Sequence, residues 1–486
     1  MRETVTIQVG QCGNQIGNNF WNQLLQEHEK TPDNDESLSA FFRFVPNRNG
    51  STTMKARALL IDMECGPLHE TMKGPLGSLF DETQYVMDVS GSGNNFGHGH
   101  HMYGPQYRSK FEDGLLRLAE QCDSLQTFIV THSLGGGTGS GVGTYMLGVL
   151  SDLFPEVSRF STCVFPSEGD DVITSPYNSV LATREIVEHC HCAIPLDNTA
   201  LQSFIQLEAT QLKNQERKFG KYSSSILSHK TAHKTDKGFD DMNCVAGRVL
   251  SQLTASSRFN GELNVDMNEI CTNLIPFPRM PFLAAAINPY RPLSLSQSGG
   301  RGTGSGGGGR ERDSSRTAIQ RAFRDILSGA GQVSAAHPPT RPGVVTMASA
   351  FLGRATALSL DDFLTCVSSA QRDMSFPGWN PDACKIGLCN APPLHQSVGV
   401  LGLYNSTGFA SVLSRERGRF TQLYRRKAML HHYTEFMEES LIAEADHEIA
   451  RVIDDYMSLE GSDRNTESDN KFSLDNPLYS HLFPAF

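Results

Sequence analysis

The chain has 486 residues, with 42 basic and 53 acidic side chains and a formal net charge of −11. That length exceeds one simple core and predicts two or three domains, and the acidic balance argues against a nucleic-acid-binding protein. With no apolar run of secretory-leader or membrane-span type and eleven cysteines, the expectation is a cytoplasmic chain with reduced thiols and no membrane span.

Val5, Ile7 and Val9 alternate as a first strand. Gly10-Gln11-Cys12-Gly13 then turns into a helix whose apolar stripe is Ile16, Phe20, Trp21, Leu24 and Leu25. Strand, tight turn and helix N-terminus aim backbone N–H groups at a ligand. Cys12, on its own chemistry, reads as a buried thiol. Residues 29–55 are polar and irregular, and a surface loop is expected there. Ala58-Leu59-Leu60-Ile61 is a buried strand ending in Asp62-Met63-Glu64. Two carboxylates at a strand end beside a phosphate site suit Mg²⁺, which takes one or two carboxylates and keeps several waters; a solvated turn is the other reading. Gly91-Ser92-Gly93-Asn94-Asn95 is a second small-residue loop. His98, His100 and His101 follow it with no cysteine or carboxylate nearby in sequence, and read as loop histidines rather than metal ligands.

Phe128-Ile129-Val130 is a short buried strand, and Val142, Tyr145, Met146, Val149, Leu150 and Leu153 recur at helical spacing. Between them, Gly135-Gly136-Gly137-Thr138-Gly139-Ser140-Gly141 joins strand to helix N-terminus. Amides and helix dipole make an anion site there, and Thr138 and Ser140 add hydroxyl donors. No Lys follows and the G-x-G-x-x-G spacing is absent, so neither common nucleotide motif applies. His189-Cys190-His191-Cys192 has ligand residue types, but neighbours on a strand point to opposite faces. It reads as the start of the strand through Ala193-Ile194-Pro195-Leu196, closed by Asp197-Asn198. Residues 207–238 read as a solvated insertion, and Met242, Val245, Ala246, Val249, Leu250 and Leu253 as a strongly amphipathic helix. Asn264 is expected to cap the next helix, with Asp266 and Glu269 sharing a face as ordinary first-turn acids. Residues 298–316 form a low-complexity glycine loop. From about 405 the chain turns helical, with Arg415 to Arg426 basic and amphipathic and a further long helix from Met437.

In this order the motifs resemble those of the tubulins, over nearly the whole chain. His132 to Gly141 is similar to the tubulin phosphate loop, and Gly10 to Gly17 matches the first nucleotide loop residue for residue. The bacterial cell-division GTPases share little beyond a shorter glycine loop. The resemblance implies an α/β fold. A parallel-sheet nucleotide-binding domain would span 1–238 with 207–238 an insertion, and a central helix 239–257. A mixed α+β middle domain would span 258–404 with the flexible loop 298–316, where lateral pairing would be weak, and a C-terminal helical surface layer 405–486. It implies GTP/GDP and Mg²⁺ as cofactors. The phosphates would be held by Gly10, Gln11, Cys12, Asn94, Ser133, Gly136, Gly137, Thr138 and Gly139, and Glu64 would reach the metal through water. Most tubulins carry an acid where this chain has Ser175, which leaves Asp171 the candidate for the ribose. Asn198 and Asn243 would read guanine, each amide offering donor and acceptor, with Phe239 stacked on the base. Asp266 and Glu269 follow the alpha-type pattern, whose acids face the nucleotide of the next subunit and act in trans.

Within the tubulins, Ser90 to Phe96, Asp170 to Ser179, the insertions and the mixed charges of 460–486 in place of an acidic tail are most similar to the epsilon class. That implies a cytoskeletal protein of the centrosome, centriole or basal body that forms or stabilises doublet and triplet microtubules. Its partners would be other tubulins, through longitudinal and lateral contacts, and centriolar proteins, with GTP hydrolysis on subunit stacking. A structural subunit that binds GTP without hydrolysing it and a divergent gamma-type nucleator are the competing readings.

Overall fold

The computed structural model describes residues 2–30, 35–46, 51–167, 169–219, 237–289, 307–356 and 359–462. Its strands are β1 (Glu3–Val9), β2 (Phe42–Pro46), β3 (Thr52–Ala56), β4 (Ala58–Asp62), β5 (Tyr85–Met87), β6 (Leu125–Ser133), β7 (Ser158–Phe165), β8 (Cys192–Asp197), β9 (Ala284–Ile287), β10 (Thr346–Ala355), β11 (Cys384–Cys389) and β12 (Val398–Ser406). Strands β5-β4-β1-β6-β7-β8 form a six-stranded sheet, parallel at every pairing. A second sheet, β11-β10-β12-β9, is parallel only between β10 and β11. The fold is α/β, as expected.

Parallel strands need helical crossovers, so both faces of the first sheet are covered. All seven residues of β1 are buried. Val5, Ile7 and Val9 face one apolar cluster. Gln8, on the other face, lies under the helix Gly10–Lys30, where a Cβ on Gly17 would sit 2.1 Å from its side chain. The alternation seen in the sequence is therefore apolar on one face and polar but buried on the other. The central helix Lys237–Leu253 buries Val245, Ala246, Val249, Leu250 and Leu253. They share a cluster with Ile16, Phe20 and Trp21 of the first helix and with Ala285, Leu352 and Leu401 of the second sheet, so one core joins the two sheets. On the opposite face of the first sheet, Ile442, Ala445, Ile449 and Val452 of the helix Glu439–Ser462 pack into the cluster of Val5 and Phe128. Among the described residues no helix is long and apolar enough to cross a membrane.

Several local expectations are corrected. Residues 29–55 are not a plain loop: β2 and β3 pair as an antiparallel hairpin, anchored by Phe41 and Phe42, whose rings meet Trp21 edge-on. The helix from Asn198 continues to Phe219, into the expected insertion; residues 220–236 lie outside the described residues. Of the glycine loop 298–316, the part from Gly307 is helical, in a helix that runs to Leu327. Burial of Ile319, Phe323 and Ile326 downstream holds that helix against the second sheet despite the poor propensity of its glycines. His98, His100 and His101 lie in a widened turn, His98–Tyr103, that leads into the helix Gly104–Glu120. His189 ends the helix Ser175–His189, and the next strand begins only at Cys192. All eleven cysteines are free thiols.

One buried charge cluster ties these layers together. Glu27, near the end of the first helix, accepts from Arg258 Nη1 at 2.8 Å, from Arg354 Nη1 of β10 at 3.1 Å and from Ser251 Oγ of the central helix at 2.9 Å. Burial alone would raise the Glu27 carboxyl, but Arg354 and Arg258 hold it below the usual carboxylate range. Removing one member leaves the others buried and uncompensated. Glu27→Ala is expected to lower the free energy of unfolding by about 3–5 kcal/mol, read by chemical denaturation.

Candidate functional site

In a parallel sheet every strand delivers its carboxyl end to the same edge, and ligands bind there. At that edge β1 leads to Gly10, β4 to Asp62 and Glu64, and β6 to the glycine loop; the chain after β5 reaches 91–95, that after β7 reaches 170–175, and β8 leads to Asn198. The loops are in contact. Gly10 has φ +75°, and a Cβ on it would lie 3.3 Å from the Gly139 amide nitrogen. A Cβ on Gly137 would lie 2.5 Å from the Asn95 nitrogen. Only glycine permits either approach. Ser92 Oγ and Thr138 Oγ1 are bonded at 2.9 Å. Asn14 Nδ2 donates to the Gly10 and Ile61 carbonyls at 2.9 and 3.1 Å. From Thr138 the loop enters a widened turn, Thr138–Val142, continuous with the helix Gly143–Leu153, so the expected strand-to-helix junction is present.

His132 holds the glycine loop from beneath. Its ring lies 2.8 Å from both the Gly139 carbonyl and Ser161 Oγ. A carbonyl can only accept, so Nδ1 donates to Gly139 and Nε2 accepts the serine proton. Burial lowers the imidazole pKa to about 4, which keeps it neutral. Burial, with the nearby Asp170 charge, pushes Cys12 up to about 12, so it is a thiol rather than a nucleophilic thiolate.

Around this floor lie the other sequence-selected residues. Gln11, Asn94 and Asp171 are exposed; Ser133, Gly136 and Asn198 are half-buried; Gly137, Thr138 and Gly139 are buried. Ser175 is fully buried against Gly135, its hydroxyl unpartnered among the described residues. Phe239 is 58% exposed, an apolar face open to a ring. Asn243 is buried and donates to Gln15 Oε1 of the first helix at 3.2 Å. At the end of β4, Asp62 Oδ1 accepts from the Glu64 amide at 3.3 Å, and the buried Oδ2 has no partner among the described residues. Burial, with a contribution from the Glu64 charge, raises Asp62 to about 7. An orphaned carboxylate oxygen beside a second acid fits a divalent cation.

Asp266 and Glu269 lie elsewhere. They line a cleft of about 210 Å³ with Arg2 and Gln126. Arg2 precedes β1 and Gln126 is the second residue of β6, so this cleft is at the amino edge of the sheet. The nine residues of β6 separate it from the glycine loop, roughly 30 Å of strand. Asp266, not Asn264, caps the helix Met267–Leu274: its Oδ1 accepts from the Glu269 amide at 2.7 Å, and it pairs with Arg2. It therefore stands outside the helix rather than sharing a helical face with Glu269. Glu269 Oε2 lies 3.0 Å from Lys385 Nζ. Asn14 and His132 lie within the motifs Gly10 to Gly17 and His132 to Gly141, but sequence reasoning gave neither a role of its own.

Residues 3–206 match the Tubulin/FtsZ family, GTPase domain. Over 482 residues the chain is 39% identical to the tubulin epsilon chain of Mus musculus and 38% identical to that of Homo sapiens, each alignment covering 95% of this chain and 97% of the relative. It is 30% identical to the tubulin beta chain of Pneumocystis carinii over 485 residues, covering 97% of this chain and 99% of the relative.

The His132 geometry fixes a pH dependence. With a folded pKa of about 4 against the ordinary 6.5, the unfolded chain takes up the proton first as pH falls. The stability contribution is complete above 6.5 and is lost towards 4. His132→Gln is expected to flatten the slope of unfolding free energy against pH across that window; denaturant titrations at several pH values measure it.

Proposed function

The chain belongs to the tubulin family, and from that premise we propose that it is an epsilon-type tubulin of centrioles and basal bodies, whose GTP is hydrolysed only when a second subunit stacks on it. It is a GTP-binding cytoskeletal protein with a GTPase-type domain. Other tubulins are its partners in this reading, through longitudinal and lateral contacts, together with centriolar proteins.

The observation that carries the reading is the separation of the two chemistries along the sheet. The phosphate-type loops occupy the carboxyl edge, whereas Glu269 and Asp266 line a cleft at the amino edge. Glu269 cannot reach the nucleotide of its own subunit. A subunit stacked end to end would bring the Glu269 of one copy to the loops of the next, where a carboxylate orients an attacking water. At the carboxyl edge, backbone amides of Gly136 to Gly139 with Ser133, Gln11, Cys12 and Asn94 would hold the phosphates, and Asp171 the ribose. Asn198 and Asn243 would read the guanine edge over Phe239. Asp62 and Glu64 would hold Mg²⁺, which when bound neutralises phosphate charge. A second reading, a subunit that binds GTP and does not turn it over, is favoured by the ion pair between Glu269 and Lys385.

The test is phosphate release with and without a stacking tubulin. The purified protein is expected to carry GTP or GDP, and Glu269→Ala to leave monomer GTP affinity unchanged while slowing stacked hydrolysis by about 10²–10⁴-fold. Normal hydrolysis by that variant in assemblies refutes the in-trans role; absence of hydrolysis in the native assembly selects the structural reading.

A further expectation concerns the cation. Asp62 keeps its proton up to about pH 7 in the folded chain and must release it to act as a ligand. Mg²⁺ affinity is expected to rise by up to about tenfold per pH unit below 7 and to level off above it. Asp62→Asn should lessen that dependence to what the terminal phosphate of the nucleotide itself contributes, measured by Mg²⁺ titration of nucleotide-loaded protein between pH 6 and 8.

A further inference from the structure

Asn178, on the helix Ser175–His189, uses every polar atom of its side chain between the two phosphate-type loops. Its Nδ2 donates to the Asn94 carbonyl at 2.9 Å and to the Gly135 carbonyl at 2.7 Å. Its Oδ1 accepts from the Phe96 amide at 2.9 Å and from the Tyr433 hydroxyl at 2.6 Å. The amide has one orientation: rotated by half a turn, it would set an oxygen against two carbonyls and an NH₂ group against an N–H. It therefore fixes the distance between the loop 91–96 and the loop 135–141.

The fourth bond comes from far away in sequence. Tyr433 lies in the short helix His431–Thr434, 255 residues from Asn178. Its single hydroxyl proton goes to the Asn178 bond at 2.6 Å, with the Thr174 carbonyl at 3.2 Å as the alternative acceptor. The ring is fully buried and stacks on Tyr177, with centroids 4.8 Å apart. The same C-terminal segment also meets the loop 91–96 and the turn that follows it. Asn95 Nδ2 donates to the His432 carbonyl at 2.7 Å, and the His98 ring stacks on Phe436. A separate tether, the Tyr177 hydroxyl to the Ala428 carbonyl at 2.8 Å, holds the segment through a bond that does not use the Asn178 side chain.

We infer that Tyr433 is a positioning residue for nucleotide binding: its hydroxyl locks the Asn178 amide that spaces the two phosphate-gripping loops, so the C-terminal layer is part of the site. The inference rests on reading those loops as the nucleotide grip. Both phosphate loops then report to the outer helical layer, and nucleotide occupancy and the order of residues 428–437 rise together.

The experiment compares Tyr433→Phe, which deletes the hydroxyl and keeps the ring, with Tyr177→Phe, which deletes the other tether. Fluorescent GTP-analogue binding and release are measured on the full chain, with melting followed by circular dichroism. Tyr433→Phe is expected to bind about five- to twentyfold more weakly and to release faster, at unchanged fold, while Tyr177→Phe binds as the native chain does. Equal weakening of both variants, or of neither, overturns the positioning role. Native protein that binds no guanine nucleotide overturns the site reading itself. If Tyr433→Phe does not fold, amide hydrogen exchange on the native chain decides. GTP should slow exchange at Phe96 and at 428–437 together; protection at Phe96 without protection of that segment overturns the inference.

Discussion

The shared direction of the six strands constrains everything else in this molecule. With each pairing parallel, all carboxyl ends fall on one edge and all amino ends on the other. Residues from 10 to 198 thus meet in one place although no two of their loops are adjacent in sequence. The same direction carries Arg2 and Gln126 to the far edge, beside Asp266 and Glu269. Packing then follows from topology: helices must cover both faces, and the central helix covers the second sheet as well.

Within the site, buried polar side chains do what apolar packing cannot. A leucine fills space but does not fix the distance between two backbones. Asn14 and Asn178 each tie together main-chain carbonyls of different segments, and His132 ties the Gly139 carbonyl to the Ser161 hydroxyl, in defined directions. In a low-dielectric interior such bonds are costly to break, which makes the loops rigid before any ligand arrives. Burial reinforces this for His132 by keeping its ring uncharged.

The parts legible in the sequence were those in which local pattern and tertiary role agree. Gly135 to Gly141 sits between an apolar strand and an amphipathic helix, and that is how it folds. Of the two apolar stripes, Ile16, Phe20, Trp21 and Leu24, and Val245, Ala246, Val249, Leu250 and Leu253, are buried as their spacing required, while Leu25 and Met242 are only half-buried. Local pattern failed where distant partners decide. Phe41 and Phe42 were hidden in a polar stretch, and contact with Phe20 and Trp21 of the first helix gives them a core. The glycines from 307 are helical because residues ten and more positions later are buried. Asn264 and Asp266 are both good caps, and Arg2, across the cleft, pairs with the second. The roles of Asn178 and Tyr433 had no local signal, since the bond that defines them spans 255 positions.

The Glu27 cluster bears on how the chain is made as well as on how it stands. Its partners follow it by 231 and 327 residues. At the usual pace of roughly 5–20 residues per second, Arg354 emerges from the ribosome about 16–65 s after Glu27. Until the central helix Lys237–Leu253 emerges, the first helix carries an apolar stripe with no cover, and until Arg258 follows it, an acid with no counter-charge. All six strands of the first sheet lie within residues 3–197 and emerge before either arginine, so its strands can pair early, whereas the Glu27 cluster closes only after about three-quarters of the chain has been synthesised.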